Sequence, residues 1–457
     1  MKAMSRTMIA LGAIATVLLT VGAASPSAAS SKPVTISVAS VIPGSTKEAI
    51  AQFDAQIKVF EKAHPNIKVQ PVQYQWLGST FATLFASKKL PDMFTVPFTD
   101  ARSYGDAGQL ADLTPYVKRW PYFKNFNPAV LAEGTTAKGK IVGIPTAAYA
   151  QALHYNRNLF TQAGLDPNKP PTTWAQVRAD ARTIAQKTGA TGYAQMGQSD
   201  NTAGWILTTV TTALGGRMEV GAGKRARATL DNPYTLQALS LLKSMRWTDN
   251  SMGSTFDYSW SPINQAFAAG KVGMFVSGSD IYTNLVQAYK VDPSIYGLAT
   301  IPTAGNASAA VMGGGTIAAV APWVNDPAKI AAAVQWIDFY YMQPLVNKAA
   351  AIRNAKILVA NKQPVGVPTF PIFNQKQYVQ ANRWIAPYFN VPRAQMAPFL
   401  TGIFKQKLSP EPAASTQAVY HALDPVVQAV LTDKGADVGD LLAQANGVAQ
   451  SAISGGQ

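Results

Sequence analysis

The chain has 457 residues, no cysteine, 47% hydrophobic and only 14% charged residues, and a formal net charge of +15. The missing cysteines exclude disulfides, thiolate metal sites and thiol nucleophiles, and the apolar content excludes general disorder. The positive balance suits an acidic partner, such as an anionic sugar, an anionic cell wall or a nucleic acid, or else an ordinary basic surface.

Lys2 and Arg6 precede an apolar stretch from Met8 to about Ala24, followed by Ser25-Pro26-Ser27-Ala28-Ala29. That order reads as a secretory signal peptide over residues 1–29, cleaved after Ala29. No later segment is long and apolar enough to span a bilayer, so the expected mature chain is soluble and extracytoplasmic, which argues against nucleic acid. What remains is too long for one hydrophobic core and fits two domains.

Val34 to Ala39 alternates apolar and polar residues and predicts a strand. Ile50, Phe53, Ile57 and Phe60 recur at helical spacing over Ala49–Ala63, His64-Pro65-Asn66 stops that helix, and Ile67–Val72 is a second strand. Strand, crossover helix and strand make a parallel unit. A helix near Ser79–Ser87 and a strand Asp92–Val96 complete an α/β first half. From Trp174 the pattern turns helical: Ala175–Lys187 with Thr172 or Thr173 as N-cap, Trp205–Leu214, Pro233–Trp247 and Pro262–Ala269. The densest basic run, Lys224-Arg225-Ala226-Arg227 beside Gly221 and Gly223, reads as a solvated loop. A strand Lys271–Val276 follows, then helices over Ala328–Gln343 and Ala414–Thr432. Gly435 onward reads as a short helix with a frayed end.

Several short segments carry a resemblance. They include Phe60-Glu61-Lys62-Ala63-His64-Pro65-Asn66, Leu90-Pro91-Asp92-Met93 and Gln109-Leu110-Ala111-Asp112-Leu113-Thr114. Gly139-Lys140-Ile141-Val142-Gly143-Ile144-Pro145, Leu153-His154-Tyr155-Asn156-Arg157-Asn158 and Pro171-Thr172-Thr173-Trp174 follow. Ala266–Met274, Tyr296–Pro302 and Gly313-Gly314-Gly315 complete the series. In this order they resemble the family 1 extracellular solute-binding proteins of bacterial ABC sugar importers, the maltose-binding-protein-like group, over nearly the whole mature chain. The resemblance implies a two-lobed α/β periplasmic-binding-protein fold of type II, each lobe a mainly parallel sheet flanked by helices, with three hinge crossovers. These are expected near Pro145–Tyr149, Ser277–Asp280 and Ala318–Val324, giving a first lobe of 30–147 plus 281–320 and a second of 148–280 plus 321–457. It also implies a carbohydrate ligand, permease subunits of an importer as partners, a monomer, and no cofactor. Two features depart from the pattern. No lipobox cysteine ends the leader, and Ser277-Gly278-Ser279 leads to Asp280-Ile281-Tyr282 where relatives often carry Trp.

A sugar offers apolar C–H faces and a ring of hydroxyls, so its site needs flat aromatics and a few charged hydrogen-bonding groups. Trp76 follows the second strand in a loop expected at the cleft. Thr99 and Asp100 stand at the carboxyl end of the third strand, the ligand edge of an open α/β sheet, with a helix N-cap as the plainer role for Asp100. Tyr149 lies just past the first crossover, and Trp205 opens a helix after Gln198-Ser199-Asp200-Asn201. Trp260 ends the aromatic loop Phe256-Asp257-Tyr258-Ser259-Trp260, which could equally cap the core. Asp280 and Gly314 fall at the expected crossovers, the glycine letting backbone N–H groups approach a ligand. Trp384, Tyr388 and Arg393 form a late aromatic-basic group, whereas Trp174, Trp247 and Trp336 fall on helical faces and read as core.

Other classes fit less well. No G-x-S-x-G or P-loop occurs, the three histidines (His64, His154, His421) are dispersed, and no acid pair marks a glycosidase. No enzyme activity and no metal site are expected. Binding of a polyamine, a peptide or a metal chelate is the nearer alternative.

Overall fold

A computed structural model describes residues 33–221 and 225–455. The leader expected over 1–29 lies outside the described residues, as does Lys224. Among the described residues no helix is long and apolar enough to cross a membrane.

Among the described residues eleven strands follow in chain order: β1 Val34–Ala39, β2 Ile67–Val72, β3 Met93–Pro97, β4 Gly143–Asn156, β5 Thr191–Ala194, β6 Glu219–Val220, β7 Arg227–Ala228, β8 Val272–Gly278, β9 Tyr296–Thr300, β10 Val311–Val320 and β11 Leu408–Ser409. Nine of them join one sheet along β2-β1-β3-β10-β4-β8-β5, with β9 on β4 and β11 on β10. The outer strands run parallel: β1 pairs with β2 from Val34↔Ile67 to Ala39↔Val72, and β5 pairs with β8. The inner strands run antiparallel, β10 to β3 and β4, and β4 to β8 and β9, while the short β11 lies parallel to β10.

Helix Lys47–Ala63 connects β1 to β2 as the apolar spacing predicts. Thr46 caps it by accepting from Ala49 N at 3.2 Å, and Phe53, Ile57 and Phe60 face inward. Phe53 and Phe60 pack on Trp336, with ring centroids 5.6 and 5.2 Å apart. Helix Trp174–Thr188 has the expected start: Thr173 accepts from Gln176 N while the Gln176 side chain accepts from Thr173 N. Trp174 and Trp336 are buried, and Trp247 is half-buried with its N–H donating to Val430 O at 2.8 Å.

The central feature is β4. Its residues Gly143–Ala150 pair with β10, and Gln151–Asn156 pair with β8 on one edge and β9 on the other. One 14-residue strand thus belongs to both halves.

This pairing corrects the expected boundaries. Tyr296–Thr300 lies against Ala152–Asn156, so 281–300 goes with the second half rather than the first. Helix Pro327–Ile337 goes with the first half, held by Trp336 on Phe53 and Phe60 and by Lys329 on Asp92 at 2.8 Å. Segment 372–374 also sits there, bonded to Asn125 and Asn127. Ser277 and Gly278 end β8, paired with Ala152 and Gln151, and Ser279–Asp280 turn beyond them, so this segment stays with the second half. Ala318–Val320 already pairs with β3, so along β10 the passage between halves comes before it rather than at Ala318–Val324. Helices Thr416–Thr432 and Val438–Gly455 return to the second half. The latter has 18 residues, not a short frayed end.

Candidate functional site

Tyr149 sits where β4 leaves β10. Gly314 is its partner across the ladder, and a Cβ built on Gly314 would lie 2.4 Å from the Tyr149 hydroxyl. Only glycine leaves room for that phenol, which is then free to donate to Glu411 Oε1 at 3.2 Å. Tyr420, on helix Thr416–Thr432, donates to the other oxygen of Glu411 at 2.9 Å. Glu411 is carried by Pro410-Glu411-Pro412, a segment pinned by β11 on β10 and by Glu219, which accepts from Ala414 N at 2.9 Å.

Asp100, Trp205 and Glu133 face Glu411, and Tyr104 and Trp76 stand behind Asp100. Asp100 lies in the first turn of helix Phe98–Asp106 and close enough for its charge to be felt at Glu411. Its carboxylate does not cap that helix, whose N-cap is Pro97, but accepts from Thr99 Oγ1 at 2.5 Å. Tyr104, one turn on, neighbours Asp100, and the Trp76 indole leans toward Tyr104 without reaching hydrogen-bond geometry. Trp205, in the first turn of helix Thr202–Leu214, approaches Glu411 from the other half. Glu133, buried beside Glu411, has Arg102 as its nearest cation.

The electrostatics follow from crowding carboxylates in a partly dry cleft. Burial raises Glu411, more than Tyr420 and Tyr149 hold it down. Burial likewise raises Asp100 against the pull of Thr99 and Tyr104, and it raises Glu133 to about 7 despite Arg102. Tyr149 and Tyr420 are pushed well above their ordinary value by burial and by Glu411. These carboxyls are therefore disposed to take up a proton or accept a ligand's hydrogen bonds.

On the other side of Tyr149 lies a cavity of about 410 Å³, within the range of small-molecule sites. It is lined by Asp280, Thr316, Phe370, Gln377 and Tyr378, together with Tyr149 itself. Asp280 is exposed because it faces this cavity, yet the protein around it still raises its carboxyl. Among the described residues no group of three or more histidines and acids is placed to hold a metal ion. His154 instead bonds Tyr296 at 2.9 Å in the core, and burial lowers its pKa to about 4.

The family model described as a bacterial extracellular solute-binding protein matches residues 43–342. The chain belongs to that family. Among curated relatives, this solute-binding protein is 30% identical over 172 residues to a putative binding protein of Brucella abortus, aligning 36% of this chain to 38% of that one. It thus spans well under half the length of that relative. A periplasmic sn-glycerol-3-phosphate-binding protein of Pectobacterium atrosepticum is 26% identical over 64% of this chain and 66% of its own. In structure, it matches the cyclic α-maltosyl-1,6-maltose binding protein of Arthrobacter globiformis with a TM-score of 0.70. Identity there is 22%, with 93% of this chain and 100% of that one covered. The two-lobed α/β architecture is that of the family.

Of the residues singled out from sequence, the fold of this solute-binding protein brings Trp76, Asp100, Tyr149, Trp205 and Gly314 to one place and puts Asp280 on the adjoining cavity. Gly314 makes room for Tyr149. Trp260 packs against Tyr289 at 6.2 Å instead. Trp384 is half-buried on helix Gln375–Ile385, and its neighbours Ala381, Asn382 and Ile385 line the cavity without it. Arg393 stacks on Phe389 at 4.4 Å and donates to Gly366 O, which steadies a cavity wall. Sequence reasoning missed Glu411, Glu133, Tyr104 and Tyr420. One signal was available for Glu411: an acid fixed between two prolines in an acid-poor chain.

Proposed function

We propose that this solute-binding protein captures a carbohydrate in the cleft around Tyr149 and delivers it to the permease subunits of an ATP-driven importer, without chemical turnover and without a cofactor. Trp76, Asp100, Tyr149, Trp205, Asp280 and Glu411 are its ligand-binding residues. The observation that carries this reading is their convergence: aromatic rings and carboxylates from both halves meet along the long strand β4 that the halves share. Aromatic faces suit the C–H surfaces of a sugar, and carboxylates suit its hydroxyls. A guest touching both halves puts its binding energy into closing them. The sugar named for the Arthrobacter structure supports the class. A polyol phosphate, named for the Pectobacterium relative, fits less well, because its charge would face Asp100, Glu133 and Glu411. Export by the leader and action as a monomer belong to the same reading.

A thermal-shift screen of mono- and oligosaccharides tests it, since a guest bound only by the folded state raises Tm by mass action. At least one sugar should raise Tm, and X-ray scattering should then show a more compact particle. A rise from peptides or chelates alone would reject the carbohydrate, and release of product from a chromogenic glycoside would reject the absence of turnover.

A further inference from the structure

The cavity beside Tyr149 has a different chemistry from the cleft it adjoins. Its wall carries Leu345, Val367, Phe370, Ile372, Phe373 and Ile385, and Asp280 is the one charged residue lining it. The wall's two amides and its Thr146 hydroxyl already donate to main-chain carbonyls. Thr146 reaches Thr316 O at 3.1 Å, Gln377 reaches Leu345 O at 2.7 Å and Asn382 reaches Tyr378 O at 2.9 Å. Tyr149 turns its hydroxyl away, to Glu411. A sugar ring carries hydroxyls around its whole edge, and each one moved here from water without a partner is a loss. An alkyl or aryl group has no such loss and gains by leaving water. Space is ample: the cavity holds about 410 Å³, and a dry cavity of about 150 Å³ already takes up benzene.

The wall is held in place by the main chain. Phe370 N donates to Ala148 O at 3.1 Å, and Asn127 fixes the same segment through Ile372 O at 2.8 Å and Pro371 O at 3.2 Å. Phe373 packs on Phe126 with ring centroids 4.6 Å apart. An independent observation joins the cavity to the cleft. A Cβ built on Gly278 would lie 2.7 Å from Asp280 Oδ1 and 3.3 Å from the Tyr149 ring, so carboxylate and ring stand together over that glycine. Both line the cavity, while the Tyr149 hydroxyl reaches Glu411 on the other side. A guest seated at Glu411 therefore extends past Tyr149 into apolar space, with Asp280 placed to accept from a hydroxyl at the junction.

We propose that the ligand is a glycoside with an apolar aglycone, its sugar at Tyr149, Asp280 and Glu411 and its alkyl or aryl group in the cavity beside Phe370 and Ile385. This rests on the carbohydrate reading of the cleft and narrows it.

The test is titration calorimetry on the full mature chain with methyl, phenyl and octyl members of β-glucoside, β-galactoside and α-maltoside series, the octyl members kept below their micelle-forming concentration. In at least one series the phenyl or octyl member should bind about tenfold or more tighter than the methyl member, since each buried methylene contributes about fourfold. Its heat-capacity change should also be more negative. Ala381→Phe, which fills the cavity from helix Gln375–Ile385, should erase that preference. If that variant does not fold, Ile385→Trp reads the same quantity from a half-buried position on the same wall. Equal binding within every series, or a preference that survives in both variants, overturns the aglycone assignment and leaves the carbohydrate reading standing. Binding of no glycoside at all overturns both.

Discussion

Tyr149 owes its position to an absence. The hydroxyl occupies the space a side chain at position 314 would fill, so Gly314→Ala must push the phenol aside and break its 3.2 Å bond to Glu411. The bond is worth about 1 kcal/mol and its loss leaves a buried carboxyl less satisfied, so ligand affinity should fall by about tenfold in titration calorimetry. Glu133 makes a different demand. Its folded pKa of about 7 lies above the ordinary value of 4.5, so its contribution to stability is fully present below about pH 4.5 and is lost as pH rises toward 7. Glu133→Gln should therefore gain on the parent by about 1–3 kcal/mol between those limits, measured as paired denaturant midpoints at pH 4.5 and 7.5. Comparing the pair isolates Glu133 from His154, whose depressed pKa works in the opposite sense. Asp100 and Trp205 could be read from sequence because each stands where a helix starts, and Tyr149 because it follows an expected crossover. In sequence Glu411 offers only its two flanking prolines, since its contact with Tyr149 spans 262 positions and depends on how two distant segments pack.

Helix Thr202–Leu214 begins without a cap of its own. Asn201 has a left-handed φ of 73° and no side-chain bond to the helix. The missing acceptor comes from Asp424 on helix Thr416–Thr432, which takes Asn201 N at 2.7 Å and Gly204 N at 2.8 Å and is fully buried. Asp424→Ala would orphan both donors and should cost about 2–3 kcal/mol in chemical denaturation. Ligand affinity should drop with it, because Trp205 rides on that first turn. The local signals that did survive in sequence were the strong ones, such as Thr173 before Trp174 and the three- and four-residue spacing from Ile50 to Phe60. The last helix was underestimated for a physical reason. Leu442, Ala445, Ala449 and Ile453 keep helical spacing on its buried face, but Gly439, Gly447 and the small alanines blur the pattern and lower its propensity. Half membership was blurred in the same way: alternation predicts that a segment is a strand but not which edge of β4 it will join, and so β9 was assigned to the wrong half.

At the scale of the whole molecule, β4 has a mechanical meaning. Proteins of two lobes commonly melt in two steps, each lobe keeping its own core. Here neither half of the sheet can be dismantled alone, since removing the first half strips β10 from Gly143–Ala150 and removing the second strips β8 and β9 from Gln151–Asn156. The loss of either leaves half of one strand bare. Scanning calorimetry should accordingly give a single heat-absorption peak whose van't Hoff and calorimetric enthalpies agree, and forced extension should give one rupture rather than two.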